Sequence, residues 1–331
     1  MGTEGRPLAG GRGPISAGRP PLIVIAGATA TGKTDLAIRL AETLAGEGRP
    51  AEIISADSRQ VYRGLDIGTA KATPNERARV CHHALDLVDP EEPFTVADFV
   101  RASDVALEEI AQRSGIALLV GGTGLYLRAV GRGLDVDALP HDAAIRATLE
   151  AELTTLGLAP LVARLQAIAP LAAARVELRN PRRVVRALEI ATLRGDMPPP
   201  PPLGYPGPVL WLGLTVEPAV HRDRIARRAA VQFGAGLLAE AAALRERHDP
   251  SLPAFSAIGY REAWAVLDGQ ASREQAIELD ARRNLAFAKR QRTWFRTEPD
   301  LDWLDATEAE PVPGALARIG PFLDRAYATG P

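Results

Sequence analysis

Unbroken apolar runs alternate with helical stripes along much of the chain. Leu22-Ile23-Val24-Ile25-Ala26 is a continuous apolar run of the kind buried on both faces in a parallel sheet. A Gly-containing loop follows it, and then a helix with Leu36, Leu40 and Leu44 on one face. Ile53-Ile54 within 51–57 predicts a second short strand, Ile116–Val120 a third and Val209–Leu214 a fourth. Thr73-Pro74-Asn75-Glu76 carries a cap, a first-turn proline and the acid of a capping box, so it predicts a helix start. Thr95 with Asp98 predicts another, running to about Arg113 and stopped by Gly115. This alternation predicts an α/β fold: a parallel sheet flanked by helices on both faces.

The stretch 134–203 breaks the alternation and reads as helix only. Asn180-Pro181 caps one of its helices, and five prolines, Pro198–Pro202, end it as a stiff linker. The expected organisation is an α/β core made of 22–133 plus 204–331, with an all-helical insertion domain at 134–203. Long helices follow the fourth strand, one from a Ser272…Gln275 capping box to about Arg296. Residues 1–21 hold ten Gly or Pro and no periodicity, which predicts a disordered tail.

Composition narrows the class. Of 331 residues, 46% are hydrophobic and 24% charged, as in an ordinary globular protein. No apolar run approaches the ~18 residues of a membrane helix, and no signal-peptide core is visible, so a cytoplasmic protein without a membrane partner is expected. The net charge of −2 leaves nucleic acid to a local basic patch. Cys81 is the only cysteine, which rules out an internal disulfide. Cys81-His82-His83 invites a metal reading, but adjacent side chains point different ways and no second ligand pair stands nearby in sequence. Only three of 39 basic residues are lysine: Lys33, Lys71 and Lys289.

Gly27-Ala28-Thr29-Ala30-Thr31-Gly32-Lys33-Thr34 fits the pattern G-x-x-x-x-G-K-[ST], of which this composition gives about 0.002 matches by chance. Its place between a buried strand and an amphipathic helix suits a phosphate loop. Backbone N–H groups and a helix N-terminus attract an anion, Lys33 reaches the outer phosphate, and Thr34 can hold Mg²⁺. The third strand ends in Gly121-Gly122-Thr123-Gly124, without the metal-supporting Asp of a nucleotide hydrolase. An acid ends the second strand instead. Asp57 should lie near the phosphate loop, as general base or Mg²⁺ ligand, or else as the cap of a helix starting at Ser58. The pattern suits a transferase or kinase better than a motor ATPase.

The phosphate loop, the stretch Ser55–Lys71 (SADSRQVYRGLDIGTAK), Gly121–Tyr126 (GGTGLY), Ile258–Glu262 (IGYRE) and Ala288–Gln291 (AKRQ) together resemble the tRNA dimethylallyltransferase family over about 22–297. The resemblance implies a P-loop NTPase-like core. It also implies transfer of a dimethylallyl group from dimethylallyl diphosphate to the exocyclic amine of the adenosine 3′ of the anticodon, in tRNAs reading codons that begin with U. Diphosphate is released and Mg²⁺ is required. The implied roles put the prenyl diphosphate on 27–34, with Lys33 and the Arg224-Ile225-x-x-Arg228 pattern on the leaving diphosphate. Asp57 becomes the base and Thr123 stands at the reacting centre. The RNA contacts would be Asp57, Ser58, Arg59, Gln60, Thr123, Arg146, Arg182, Arg183, Val184, Val185, Arg186, Lys289 and Arg290. A tRNA anticodon stem-loop is the implied partner, and a monomer is expected.

The chain departs from the family pattern at Ala28 and Thr31 in the loop, at Arg182 where a Gln is usual, at Gln232 where a Met is usual, and at Asn284-Leu285 where a Thr-Arg pair is usual. Residues 281–297 carry six Arg or Lys and no acid, interleaved with Phe287, Trp294 and Phe295, and 179–186 carry Arg179, Arg182, Arg183 and Arg186. Each cluster suits either a solvated helix face or an RNA contact. Asp66 and Asp86 read as structural. Three rival readings remain: a P-loop kinase of a small metabolite, an adenylate isopentenyltransferase acting on AMP or ADP, and a non-catalytic RNA-binding protein.

Overall fold

The computed structural model describes residues 18–328. Its strands are β1 (Leu22–Gly27), β2 (Ala51–Ala56), β3 (His82–His83), β4 (Ile116–Gly121), β5 (Val209–Thr215) and β6 (Asp302–Asp305). They form one parallel sheet in the order β3-β2-β4-β1-β5-β6. The four apolar runs are its centre. The outer two strands escaped the sequence pattern for a physical reason: β3 is two half-buried histidines, and Asp302-Trp303-Leu304-Asp305 buries only Leu304. Edge strands need little apolar surface, so they leave little trace in a hydrophobic profile.

The helices are α1 (Lys33–Gly46), α2 (Pro74–Arg79), α3 (Val96–Gln112), α4 (Gly124–Gly131), α5 (Ala143–Leu156), α6 (Leu158–Ile168), α7 (Pro170–Arg175), α8 (Pro181–Arg194), α9 (Pro218–Gly234), α10 (Leu237–Arg247), α11 (Tyr260–Leu267), α12 (Arg273–Arg296) and α13 (Val312–Ala328). Leu36, Leu40 and Leu44 on α1 are fully buried in the core cluster that also holds Ile319 and Leu323 of α13. Each such side chain contributes roughly 1.5–3 kcal/mol. On α3 and α4, Phe99 and Tyr126 stack with ring centroids 4.1 Å apart. Capping boxes at Thr73, Thr95 and Ser272 open α2, α3 and α12. The end of α3 differs from expectation. Ser114, not Gly115, takes the left-handed turn at φ 53°, and the Gly115 N–H then closes onto Ile110 O at 2.9 Å.

The chain divides into two compact units among the described residues, 134–203 and the remainder. In the first, α5–α8 pack around Leu149, Leu161, Leu165, Val184 and Leu188. The tail expected over 1–21 lies outside the described residues up to 17, and its end is ordered. Arg19 pairs with Asp104 at 2.7 Å, Pro20 O accepts from the Tyr205 hydroxyl, and Pro21 O accepts from Ala117 N. Gly and Pro there mark an extended lead-in that continues the β1–β4 ladder by one carbonyl.

Candidate active site

The loop after β1 turns through Ala30 (φ 61°) and Gly32 (φ 87°) before α1 begins at Lys33. Gly32 sits in the left-handed region that glycine adopts without strain. Thr31 Oγ1 donates to Ala28 O at 2.9 Å, and Lys33 Nζ donates to the same carbonyl at 2.7 Å. The eight residues assigned to diphosphate divide by position. Thr29, Lys33 and Thr34 line a cavity of about 450 Å³. Ala30, Thr31 and Gly32 face a second, more open hollow, which Lys33 and Thr34 also line. Gly27 ends β1, and Ala28 packs behind the loop against Ile225 and Ala288, so these two reach neither space with a side chain.

Asp57 follows β2 and faces the same cavity as Lys33, although β4 lies between β1 and β2 in the sheet. The carboxyl ends of all three strands therefore build one site, as expected of open parallel sheets. Arg228, from α9, lines both spaces; it donates to Thr29 Oγ1 at 3.0 Å. Burial pushes the Lys33 ammonium down to about 7; Arg228 beside it acts in the same direction, and Asp57 opposes them. Burial also lowers Arg228, against Asp57 and Asp280. Two cations and one carboxylate thus meet at a pocket wall that favours an added anion.

Asp57 caps no helix. No helix starts at Ser58; instead Asp57 Oδ1 accepts the Arg59 N–H at 2.8 Å, which bends the chain into a turn. The Ser58 N–H donates to Thr123 Oγ1 at 3.1 Å, so Thr123 stands beside the acid's loop. Arg59 is tied to Pro253 O at 3.0 Å. The Gln60 amide is committed within the fold: it accepts from Ser55 Oγ and donates to Thr69 O and Ala70 O. Ser58, Arg59, Gln60 and Thr123 all line the cavity. The GGTG motif proves to be a packing device. A Cβ at Gly121 would run into Ala56 O, at Gly122 into Gln291 Nε2, and at Gly124 into Trp294 Nε1.

Arg224, assigned to the same clamp as Arg228, lines only the open hollow and donates to Thr307 O at 2.8 Å. The three lysines have three fates. Lys33 is at the site. Lys71 is buried, 1% exposed at its side chain, and donates to Tyr62 O, Asp66 and Asp86. Lys289 is exposed on α12 and lines neither space, whereas Arg290 lines the cavity with its guanidinium over the Phe287 ring at 5.6 Å. Of the interleaved aromatics only Phe287 is open: Phe295 is buried and Trp294 packs under Arg128.

Within 134–203 the assigned RNA contacts separate sharply. Val184 and Val185 are buried in the helical core, so their assignment is corrected: their side chains hold the unit together and offer nothing to RNA. Arg146 and Arg186 converge on the fully buried Glu189, at 2.5 and 2.8 Å, and Arg186 also donates to Pro140 O. Arg183 forms an exposed pair with Glu177. Arg182 is exposed and makes no ion pair among the described residues.

Several residues that shape the site had no assigned role. His221, 1% exposed, lies 2.8 Å by Nε2 from Thr29 O, and burial lowers its pKa. Gln291 accepts from Thr29 N and donates to Gly122 O. Gln232, the departure noted above, donates to Ile67 O and Gly68 O, while Glu240 accepts the N–H groups of Asp66, Ile67 and Gly68. The second departure, Asn284, donates to Asp280 Oδ1 at 2.7 Å. Burial, with Glu262 nearby, pushes Asp280 up to about 6 against that bond. Histidine and glutamine at these positions carry no spacing signature; only the AKRQ stretch flagged Gln291. Cys81 and His83 do meet a third donor, because β2 brings Glu52 to 2.7 Å from His83 Nε2, but Arg113 grips that carboxylate at 2.7 and 2.9 Å. Burial and Glu52 push the Cys81 thiol up to about 11.

A parallel sheet with a phosphate loop on β1, and a strand-end acid opposite an arginine from a later helix, defines a P-loop-type transferase fold. The sequence profile of the IPP transferase family matches residues 60–298, and that of isopentenyl transferases matches 20–85. The chain belongs to the IPP transferase family. It is 44% identical to a tRNA dimethylallyltransferase of Thermus thermophilus over 83% of this chain and 89% of the relative, and 42% identical to one of Roseiflexus sp. over 92% and 99%. Among solved structures it is similar to a tRNA isopentenylpyrophosphate transferase of Bacillus halodurans (TM-score 0.68, 38% identity, 93% of this chain and 98% of that one). It is also similar to a eukaryotic dimethylallyltransferase acting on tRNA (TM-score 0.75, 25% identity, 92% and 80%). Among the described residues no helix is long and apolar enough to cross a membrane.

Proposed function

We propose that the protein transfers the dimethylallyl group of dimethylallyl diphosphate to the exocyclic amine of the adenosine 3′ of the anticodon in tRNA. The observation that carries this reading is the cavity in which Lys33 and Arg228 face Asp57, in a chain of this family. The amine nitrogen attacks C1 of the prenyl group, the C1–O bond breaks, and diphosphate leaves. Asp57 takes the proton the amine loses, which is the task of a general base. Lys33 and Arg228 neutralise charge on the leaving oxygens, and the first turn of α1 adds its positive end. Arg224 meets the diphosphate from the open hollow. An adenine must leave its stack to enter the cavity, where Phe287 and Arg290 offer a ring and a planar cation.

Mg²⁺ suits the hard oxygen donors here: Thr34 and Asp35 both open on the outer hollow, beside the diphosphate loop. Its chemistry would be to spread the leaving group's charge. Arg182 and Arg179 are exposed, make no ion pair among the described residues and suit an anticodon stem-loop, and a monomer acting in the cytoplasm fits this division of labour.

The test is label transfer from dimethylallyl diphosphate, without ATP, to tRNA, to AMP, or to neither. Transfer to tRNA supports the reading. Preference for AMP would make the protein an adenylate isopentenyltransferase, and a strict ATP requirement with release of ADP would make it a kinase.

A further inference from the structure

Thr29 is the most heavily held residue of the phosphate loop. Its N–H donates to Gln291 Oε1 at 2.8 Å, its carbonyl lies 2.8 Å from His221 Nε2, and its hydroxyl accepts from Arg228 Nη1 at 3.0 Å. The first of these partners comes from α12, the other two from α9. The Thr29 amide is therefore committed to a protein acceptor and is not one of the loop's donors to an anion.

Gln291 has a second bond. Its Nε2 donates to Gly122 O at 3.0 Å, one residue before Thr123. Gln291 is 7% exposed and lines the cavity. Both ends of its amide are thus used, one on the loop after β1 and one on the loop after β4. Gly122 is shaped to receive it, since any Cβ there would collide with Gln291 Nε2. A Gln has the needed pairing of one acceptor and one donor at fixed separation, which neither Glu nor Leu can copy.

We infer that Gln291 is a positioning residue for the transfer reaction, a tether that fixes the spacing between the donor-binding loop and the loop carrying Thr123. The inference rests on the reaction proposed above, with the diphosphate on the first loop and with Thr123 at the reacting centre, as the family resemblance implies. A bond forms between groups held by the two loops, so their spacing decides how often the reacting atoms meet in line. Misplacement by about 1 Å is enough to cost on the order of 10²-fold in rate. With both ends of its amide held by the protein, Gln291 acts through the two loops.

The experiment measures single-turnover transfer from a saturated complex with a tRNA anticodon stem-loop, beside separate binding of donor and of stem-loop. Gln291→Leu removes both bonds; Gln291→Glu keeps the acceptor for Thr29 and loses the donor for Gly122. Both are expected to slow transfer by about 10- to 100-fold with donor and RNA affinities near wild type. Gly122→Ala pushes the same amide aside from the opposite direction and should slow transfer too. The double variant Gln291→Leu with Gly122→Ala should be no slower than the slower single one, because both changes break one connection. Independent damage to the fold would multiply instead, and that result overturns the tether. So does Gln291→Leu at the wild-type rate, or a loss lying entirely in donor affinity. Wild type unable to prenylate the stem-loop at all would overturn the assigned reaction, and the tether for that reaction with it.

Discussion

Thr123 Oγ1 accepts the backbone N–H of Ser58 at 3.1 Å, so the loop that carries Asp57 hangs from a hydroxyl at the start of α4. The acid and the hydroxyl are one assembly. Asp57→Asn keeps the shape and the Arg59 turn but loses the base. Its kcat should fall by about 10²–10⁴-fold, the usual share of general-base catalysis, with stem-loop affinity unchanged. Thr123→Val removes the anchor and should also lower kcat, whereas Thr123→Ser should restore most of it. Near-normal turnover by Asp57→Asn would mean that another group takes the proton.

Lys33 gives the donor site a pH dependence. Its pKa near 7 in the free protein belongs to a cation crowded by Arg228 and by burial. A diphosphate favours the charged form, so binding raises that pKa and takes up a proton wherever free Lys33 is neutral. Donor affinity should be fullest below about pH 7 and weaken as pH rises above it. Calorimetry at pH 8 in buffers of different ionisation enthalpy should show net proton uptake by wild type and none by Lys33→Ala. Equal uptake by both would remove Lys33 from this role.

Lys71 is a stability element. Its ammonium donates to Tyr62 O, Asp66 and Asp86 at 2.6–2.7 Å, and Arg77 holds the other oxygen of Asp86. Lys71 is buried while its carboxylate partners Asp66 and Asp86 reach solvent, so losing it costs less than breaking a fully buried ion pair, and Lys71→Met should still lower the urea midpoint. Burial works against the Asp86 anion, yet Lys71 and Arg77 hold its pKa below the usual carboxylate range. The stability from that lowered pKa is present above the ordinary carboxylate pKa and is lost as pH falls through the lower, folded value. Lys71→Met should flatten this acid limb in unfolding curves.

The arginines of α8 should behave differently from one another. Arg182 is exposed, so Arg182→Ala should weaken stem-loop binding and make its salt dependence shallower, by about 0.7 in log–log slope if it contacts one phosphate of a single strand. Donor affinity should not change. Arg186 instead neutralises buried Glu189 together with Arg146. Arg186→Ala should therefore lower the melting temperature of 134–203, visible by hydrogen exchange, before any RNA effect can be read. Unchanged RNA binding by Arg182→Ala would remove this helix from the interface.

The sequence by itself determined the sheet's centre, the phosphate loop, the strand-end acid and the helix starts. Each of these depends on neighbours in the chain: an apolar run long enough to bury, glycines and a lysine at fixed spacing, a cap three residues before its acid. It did not determine β3 or β6, because an edge strand is stabilised by one neighbour's hydrogen bonds and needs no apolar signature. Nor did it separate the arginines, since Arg182 and Arg186 share a sequence cluster while only one meets a buried carboxylate. Only the tertiary structure brought Gln291, 262 residues away in the chain, onto Thr29, and Glu52 onto His83. Contacts of that kind arise when helices and strands distant in sequence pack together, and no local spacing encodes which polar groups will then face each other.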